Sequence, residues 1–168
     1  KRQEQDALSY ASAEKIYMSG NYVQAVQNLK NYIDNHPDGR YLLNAYFYKG
    51  DCHYRANEYE EALQAFDYII GKTSNNFTEQ ALLGASRIKF RQDDFVSAAE
   101  YYRKLEEAAE NKGNLLEARI GLMRCYYLTE DFTRVPDLAD RVLLTESLSP
   151  DQEREARFLK AKALLARD

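Results

Sequence analysis

The sequence predicts an all-α protein built from a repeated pair of helices, on three observations. One apolar template recurs after aromatic anchors at Tyr22, Tyr59, Phe95 and Phe132, which lie 37, 36 and 37 residues apart. The apolar offsets behind each anchor are drawn from one set, 3, 4, 7, 10 and 11, which gathers on one side of an α-helix. Glycine and proline number only 7 and 3 in 168 residues, too few to interrupt such helices often.

The elements follow in chain order. A first helix over residues 7–19 ends at Gly20-Asn21, where glycine suits a helix end and asparagine the next helix start. The second begins at Tyr22, turns Ala25, Val26, Leu29, Tyr32 and Ile33 inward, and stops at the breaker His36-Pro37-Asp38-Gly39. Residues 43–56 form the third, which the turn Asn57-Glu58 joins to a fourth from Tyr59 with Ala62, Leu63, Phe66, Ile69 and Ile70 inside. After a loop at 72–76 comes the fifth over 79–92, the turn Asp93-Asp94, and a sixth from Phe95 burying Ala98, Ala99, Tyr102 and Leu105. Asn111-Lys112-Gly113 breaks the pattern before a seventh helix over 116–129 and the turn Glu130-Asp131. The eighth starts at Phe132 and buries Val135, Ala139, Val142 and Leu143. Proline inside a helix costs about 3 kcal/mol, so Thr133 is expected to cap this helix and leave Pro136 in its first turn. A ninth helix over 151–167 has no partner.

The units are therefore 6–39, 43–76, 79–112 and 116–149, followed by an unpaired helix, all in one solenoid over 1–168. A lone helix pair cannot bury its apolar face, so neighbouring pairs must close each core. The stretch 161–168 stops in mid-pattern, and the expectation is a piece of a longer repeat protein.

Composition and motifs exclude several functions. With 23 Lys and Arg against 27 Asp and Glu, the net charge of −4 provides no basic stripe for nucleic acid. No apolar run approaches the roughly 18 residues of a membrane span, so direct membrane insertion is not expected. Phosphate-loop, dinucleotide, zinc-protease, serine-hydrolase and calcium-loop spacings are all absent, and no cofactor, metal or catalytic residue is expected. His36 belongs to a loop and His53 to a helix. Cys52 and His53 are neighbours one apart, which point in different directions on a helix. Cys52 and Cys125 lie two repeats apart, beyond the roughly 7 Å Cα reach of a disulfide, and read as small packing residues. Glu60-Glu61, Asp93-Asp94 and Glu106-Glu107 read as solvated charge. The chain is thus not expected to be an enzyme.

Gly50, Tyr59, Ala62 and Phe66 in the second unit, Tyr22, Ala25, Leu29 and Pro37 in the first, and Phe95, Ala98 and Tyr102 in the third make the pattern resemble the tetratricopeptide repeat (TPR). The period exceeds that family's usual length of about 34, and Met123 and Val135 depart from its small positions. The resemblance implies a right-handed superhelical solenoid of antiparallel helix pairs. It also implies that the first helices line a concave face where partner proteins lie. The fragments His36-Pro37-Asp38-Gly39, Asn44-Ala45-Tyr46-Phe47-Tyr48 and Gly50-Asp51 resemble bacterial envelope members, the Tol-Pal accessory proteins and outer-membrane assembly lipoproteins among them. That implies a periplasmic or envelope-associated place.

Three columns run along the first helices at spacings of 4 and 3 residues, hence on one helical side. Tyr10, Phe47, Leu83, Ile120 and Phe158 form one, and Tyr17, Tyr54, Phe90, Tyr127 and Leu165 another. Between them stand Glu14, Asp51, Arg87, Arg124 and Lys162, acidic in the first two units and basic afterwards. Aromatic rings beside ordered charge suit a peptide groove, although the same rings can also pack between repeats. Tyr17, Phe47, Asp51, Tyr54, Leu83, Arg87, Phe90, Ile120, Arg124 and Tyr127 are the candidate partner-binding residues. The expected ligand is an extended or helical segment of another protein, basic where it meets Glu14 and Asp51 and acidic where it meets Arg87 and Arg124. The alternative is self-assembly into a homo-oligomer through the final helix.

Overall fold

The computed structural model describes residues 1–168 and contains α-helices and no strand. They are α1 (Arg2–Met18), α2 (Tyr22–Asn35), α3 (Leu42–Arg55), α4 (Tyr59–Ile70), α5 (Thr78–Arg91), α6 (Phe95–Ala108), α7 (Lys112–Leu128), α8 (Val135–Leu143) and α9 (Pro150–Arg167). The anchors Tyr22, Tyr59 and Phe95 open α2, α4 and α6, as the template predicts.

Local chemistry explains these starts and stops. Side-chain oxygens of Asn21 and Asp94 accept the backbone N–H groups of Gln24 and Ser97, satisfying donors that α2 and α6 would otherwise leave open. Ser149 and Gln152 close a reciprocal capping box on α9. Each tight turn between a first and a second helix passes through the left-handed region at the same place. The residues are Gly20 (φ 83°), Asn57 (60°), Asp93 (57°) and Glu130 (60°). Glycine enters that region freely, and asparagine and aspartate more readily than most residues.

Three boundaries differ from the sequence expectation. Helix α1 begins at Arg2 rather than at residue 7, which brings Asp6 into a buried position on it. Helix α7 begins at Lys112 rather than 116, because Asn111 caps it through the Asn114 N–H and Gly113 is absorbed into the helix. Helix α8 begins at Val135. Phe132 stays in the preceding turn, and the Thr133 hydroxyl bonds Asp131 Oδ1 at 3.0 Å instead of capping. Arg134 occupies the cap position, and Pro136 still falls in the first turn, where its missing N–H is harmless.

The chain packs as two compact units, Lys1–Gly84 and Ala85–Asp168, which meet within α5. In the first, α1 packs on α2, α2 on α3 and α3 on α4, while α1 also touches α3. Ala13, Ala25, Leu29, Tyr32 and Ala45 are fully buried there. Phe66 is pressed on by two glycines: a Cβ at Gly50 or Gly84 would lie 2.7 or 2.6 Å from a ring carbon. In the second unit α6 packs on α7, α7 on α8 and α9, and α8 on α9. Ala98, Leu105, Leu122, Met123, Val135 and Val142 form its core, and Gly121 lies against the Tyr102 ring as Gly84 lies against Phe66. No helix is long and apolar enough to cross a membrane.

Cys52 and Cys125 are free and buried, and burial pushes both thiols up to about 12. The native chain is therefore expected to give no reaction with an aromatic disulfide reagent at mildly alkaline pH, and both thiols should react once it is denatured. Rapid reaction of either in the native state would contradict the packing.

A candidate partner-binding surface on the first helices

Every ring of the Tyr17 column packs on the aromatic anchor five residues ahead of it across the turn. The pairs are Tyr17–Tyr22 at 5.8 Å, Tyr54–Tyr59 at 6.0 Å, Phe90–Phe95 at 5.1 Å and Tyr127–Phe132 at 5.7 Å between centroids. These contacts fix the ring orientation and leave all four column residues half-buried. Each ring thus keeps some open surface and has little rotamer freedom left to lose on binding.

In the first unit the Tyr17 hydroxyl donates to Asp51 Oδ2 at 2.7 Å, and its ring stacks on Tyr48 at 4.4 Å. Asp51 also accepts from Arg55 Nε at 2.8 Å, so an internal cation offsets its charge. Tyr10, seven residues before Tyr17 on α1 and in the other apolar column, is buried, stacks on Tyr41 at 4.4 Å and donates to Glu14 at 2.6 Å. Phe47 is half-buried and stacks on Phe77 at 5.1 Å. Leu83 is 5% exposed, which makes it a packing residue with almost no surface to offer.

In the second unit the arginines are engaged as well. Arg87 makes a bidentate bridge to Glu117 at 2.7 Å for both bonds, and Arg124 makes one to Glu155 at 2.6 and 2.7 Å. Each bridge joins a column arginine to a glutamate about thirty residues on, borne by the next first helix. The acidic-to-basic column of the sequence is therefore not a row of free charges: Asp51, Arg87 and Arg124 each face an opposite charge within the chain. Lys162 instead sits over the Phe158 ring, 5.8 Å from its centroid.

Beside these bridges lies a cavity of about 480 Å³ whose walls include Phe90, Tyr102, Leu116, Ile120, Gly121 and Arg124. Three of the candidates, Phe90, Ile120 and Arg124, thus meet at one feature, and Ile120 lends it a wall while itself only 6% exposed. Sequence reasoning missed Tyr102, Gly121 and the two glutamates. Glu117 and Glu155 stand three residues before Ile120 and Phe158, so the same helical register could have found them.

The column continues onto α9 with different exposure. Phe158 and Leu165 are 59% and 76% exposed, whereas Tyr10, Leu83 and Ile120 in the Phe158 column are buried. No group of three His, Cys, Asp or Glu side chains is placed to hold a metal ion.

Residues 17–77 match the family model described as Tetratricopeptide repeat. Among solved structures, the MamA RS-1 ArsTM double mutant is similar with a TM-score of 0.72 at 13% identity, covering 94% of this chain and 84% of that one. Nearly identical TPR-like repeats from Podosopora anserina, described under a kinesin light chain, are similar with a TM-score of 0.60 at 15% identity, covering 99% of this chain and 88% of that one. At these identities the likeness is one of fold. A search of the curated proteins gives no match to the sequence.

Proposed function

We propose that the chain, whose residues 17–77 match the tetratricopeptide repeat model, is a non-catalytic scaffold whose first helices hold a segment of another protein. The observation that carries this reading is the cavity in the second unit, where Phe90, Ile120 and Arg124 from α5 and α7 converge. Phe47, Tyr54 and Tyr127 add half-buried aromatic surface of the kind that binds at low entropic cost. Since Asp51, Arg87 and Arg124 already have partners, apolar contact supplies affinity in this reading. The bridges set direction by exchanging one carboxylate for another.

Selection of binders from a random peptide library against the full chain, followed by mapping of backbone amide shifts, tests it. Shifts are expected on α3, α5 and α7, and Arg87→Glu with Arg124→Glu is expected to weaken the selected segment at least about fivefold. Shifts confined to α2, α4, α6, α8 or the loops, or no loss on charge reversal, would sink the reading.

The exposed Phe158 and Leu165 favour one second reading, self-assembly through α9. Sedimentation over a wide concentration range separates the two. A mass that rises with concentration and stays monomeric in Phe158→Ser/Leu165→Ser supports self-assembly, and a constant mass removes it.

A further inference from the structure

Tyr102 occupies the template position that Phe66 holds one repeat earlier, at the same offset from its anchor. A phenylalanine would keep the contact with Gly121, since the nearest atoms are ring carbons, 2.5 to 2.6 Å from where a Gly121 Cβ would be. The tyrosine adds a hydroxyl that makes no hydrogen bond within the chain, on a residue only 5% exposed. Burial, and next the Glu117 carboxylate, push this phenol well above its ordinary range, so it remains a donor. Packing alone does not call for this donor, which has no acceptor within the chain and is free to bond water or a ligand. The hydroxyl is not sealed off from solvent, and the open space beside Tyr102 is the cavity.

The cavity's other properties narrow its occupant. Phe90, Leu116, Ile120 and Gly121 make it apolar on several sides, and Gln152 adds a neutral polar group to the lining. Its charged lining groups, Glu117 and Arg124, are each held in a bidentate bridge, so a charged occupant binds there only by displacing an internal partner. Its volume, about 480 Å³, lies in the range of sites that bury a small ligand or one or two side chains.

We propose that this cavity is the anchor subsite for the bound segment: it takes a bulky apolar side chain, leucine, methionine or phenylalanine, while the Tyr102 hydroxyl donates to a main-chain carbonyl of that segment. The inference rests on the scaffold reading above and names the chemistry of its ligand. It also explains why a donor stands where packing needs only a ring.

The test uses the full chain labelled with nitrogen-15 and four probes: the N-acetyl amides of leucine, phenylalanine, lysine and aspartate. The first two are expected to give saturable shifts of the Phe90, Ile120 and Gly121 amides, and the last two much smaller ones. Tyr102→Phe keeps the ring on Gly121 and is expected to weaken the apolar probes about fivefold. It should leave the thermal midpoint unchanged or raised, because no internal bond is lost. Leu116→Phe, which narrows the cavity from its wall, should weaken the same probes. Equal response to all four probes, no saturable shift at these amides, or unchanged affinity in Tyr102→Phe would overturn the proposal. A library segment that binds while bypassing these amides overturns the anchor and leaves the scaffold reading standing. Probe binding here with no segment recoverable from the library overturns the scaffold reading and reduces the cavity to a small-ligand site.

Discussion

Phe66→Ala is expected to destabilise the Lys1–Gly84 unit by about 3–5 kcal/mol, the range for removing a buried aromatic ring. The ring is 3% exposed and is the contact surface for both Gly50 and Gly84. Those glycines make room for the ring, and Gly84→Ala is the substitution that tests it. Alanine gains up to about 1 kcal/mol over glycine inside a helix by intrinsic propensity. Here the added Cβ would sit 2.6 Å from a ring carbon that has no free space to retreat into, and overpacking of that kind costs about 1–3 kcal/mol. The net effect is a loss, opposite in sign to propensity alone. The diagnostic is the double mutant. In Phe66→Leu the ring is gone, and Gly84→Ala should then be neutral or favourable, so the pair is less destabilised than the sum of the singles by about 1 kcal/mol. Urea unfolding of the full chain followed by circular dichroism reads all four corners. Strict additivity would mean that the glycine and the ring are not in the contact described.

The features legible in the sequence are those whose cause is local. The anchors and their offsets fix α2, α4 and α6, and the left-handed turn residues Gly20, Asn57, Asp93 and Glu130 recur with the same period as the anchors. The boundary at α8 was not legible, because the anchor template places Phe132 in the helix while the chain continues its turn through Arg134. Gly113 looked like a breaker, but its cost of about 1 kcal/mol within a helix is outweighed by a capped start at Asn111 and the packing of α7 on α6. The column residues were found at the right register, yet their exposure and charge state were not. Whether Arg124 is free or bridged depends on Glu155, thirty-one residues away, and only the packing of α9 on α7 brings them together. Tyr102 read as one more core aromatic, because a template of apolar offsets treats phenylalanine and tyrosine alike. The difference between them, one hydroxyl, has meaning only beside a cavity.

Asp6→Ala is expected to cost the first unit about 3 kcal/mol, the loss of two buried hydrogen bonds to a carboxylate. Asp6 accepts the Arg40 N–H at 3.0 Å and the Tyr32 hydroxyl, and that hydroxyl in turn accepts the Tyr41 N–H at 3.0 Å. One carboxylate on α1 thereby holds the loop that carries the chain from α2 into α3, and with it the register of α3, whose Phe47, Asp51 and Tyr54 are candidate binding residues. Burial acts to raise the carboxyl's pKa, but the Arg40 N–H and then the Tyr32 hydroxyl outweigh it, and the net position is below the ordinary value. A group depressed on folding contributes its stability above its unfolded pKa and loses it as pH falls through the folded one. The stability difference between the native chain and Asp6→Asn should therefore be constant near neutrality and shrink below about pH 4. Tyr32 has the opposite sign: burial, then the bond to Asp6, raises its pKa, so its contribution is full below about pH 10 and is lost on going more alkaline. Taking the difference between the two chains cancels every other carboxylate common to both. A gap that did not close in acid would mean that Asp6 holds the loop by shape, with its charge playing no part.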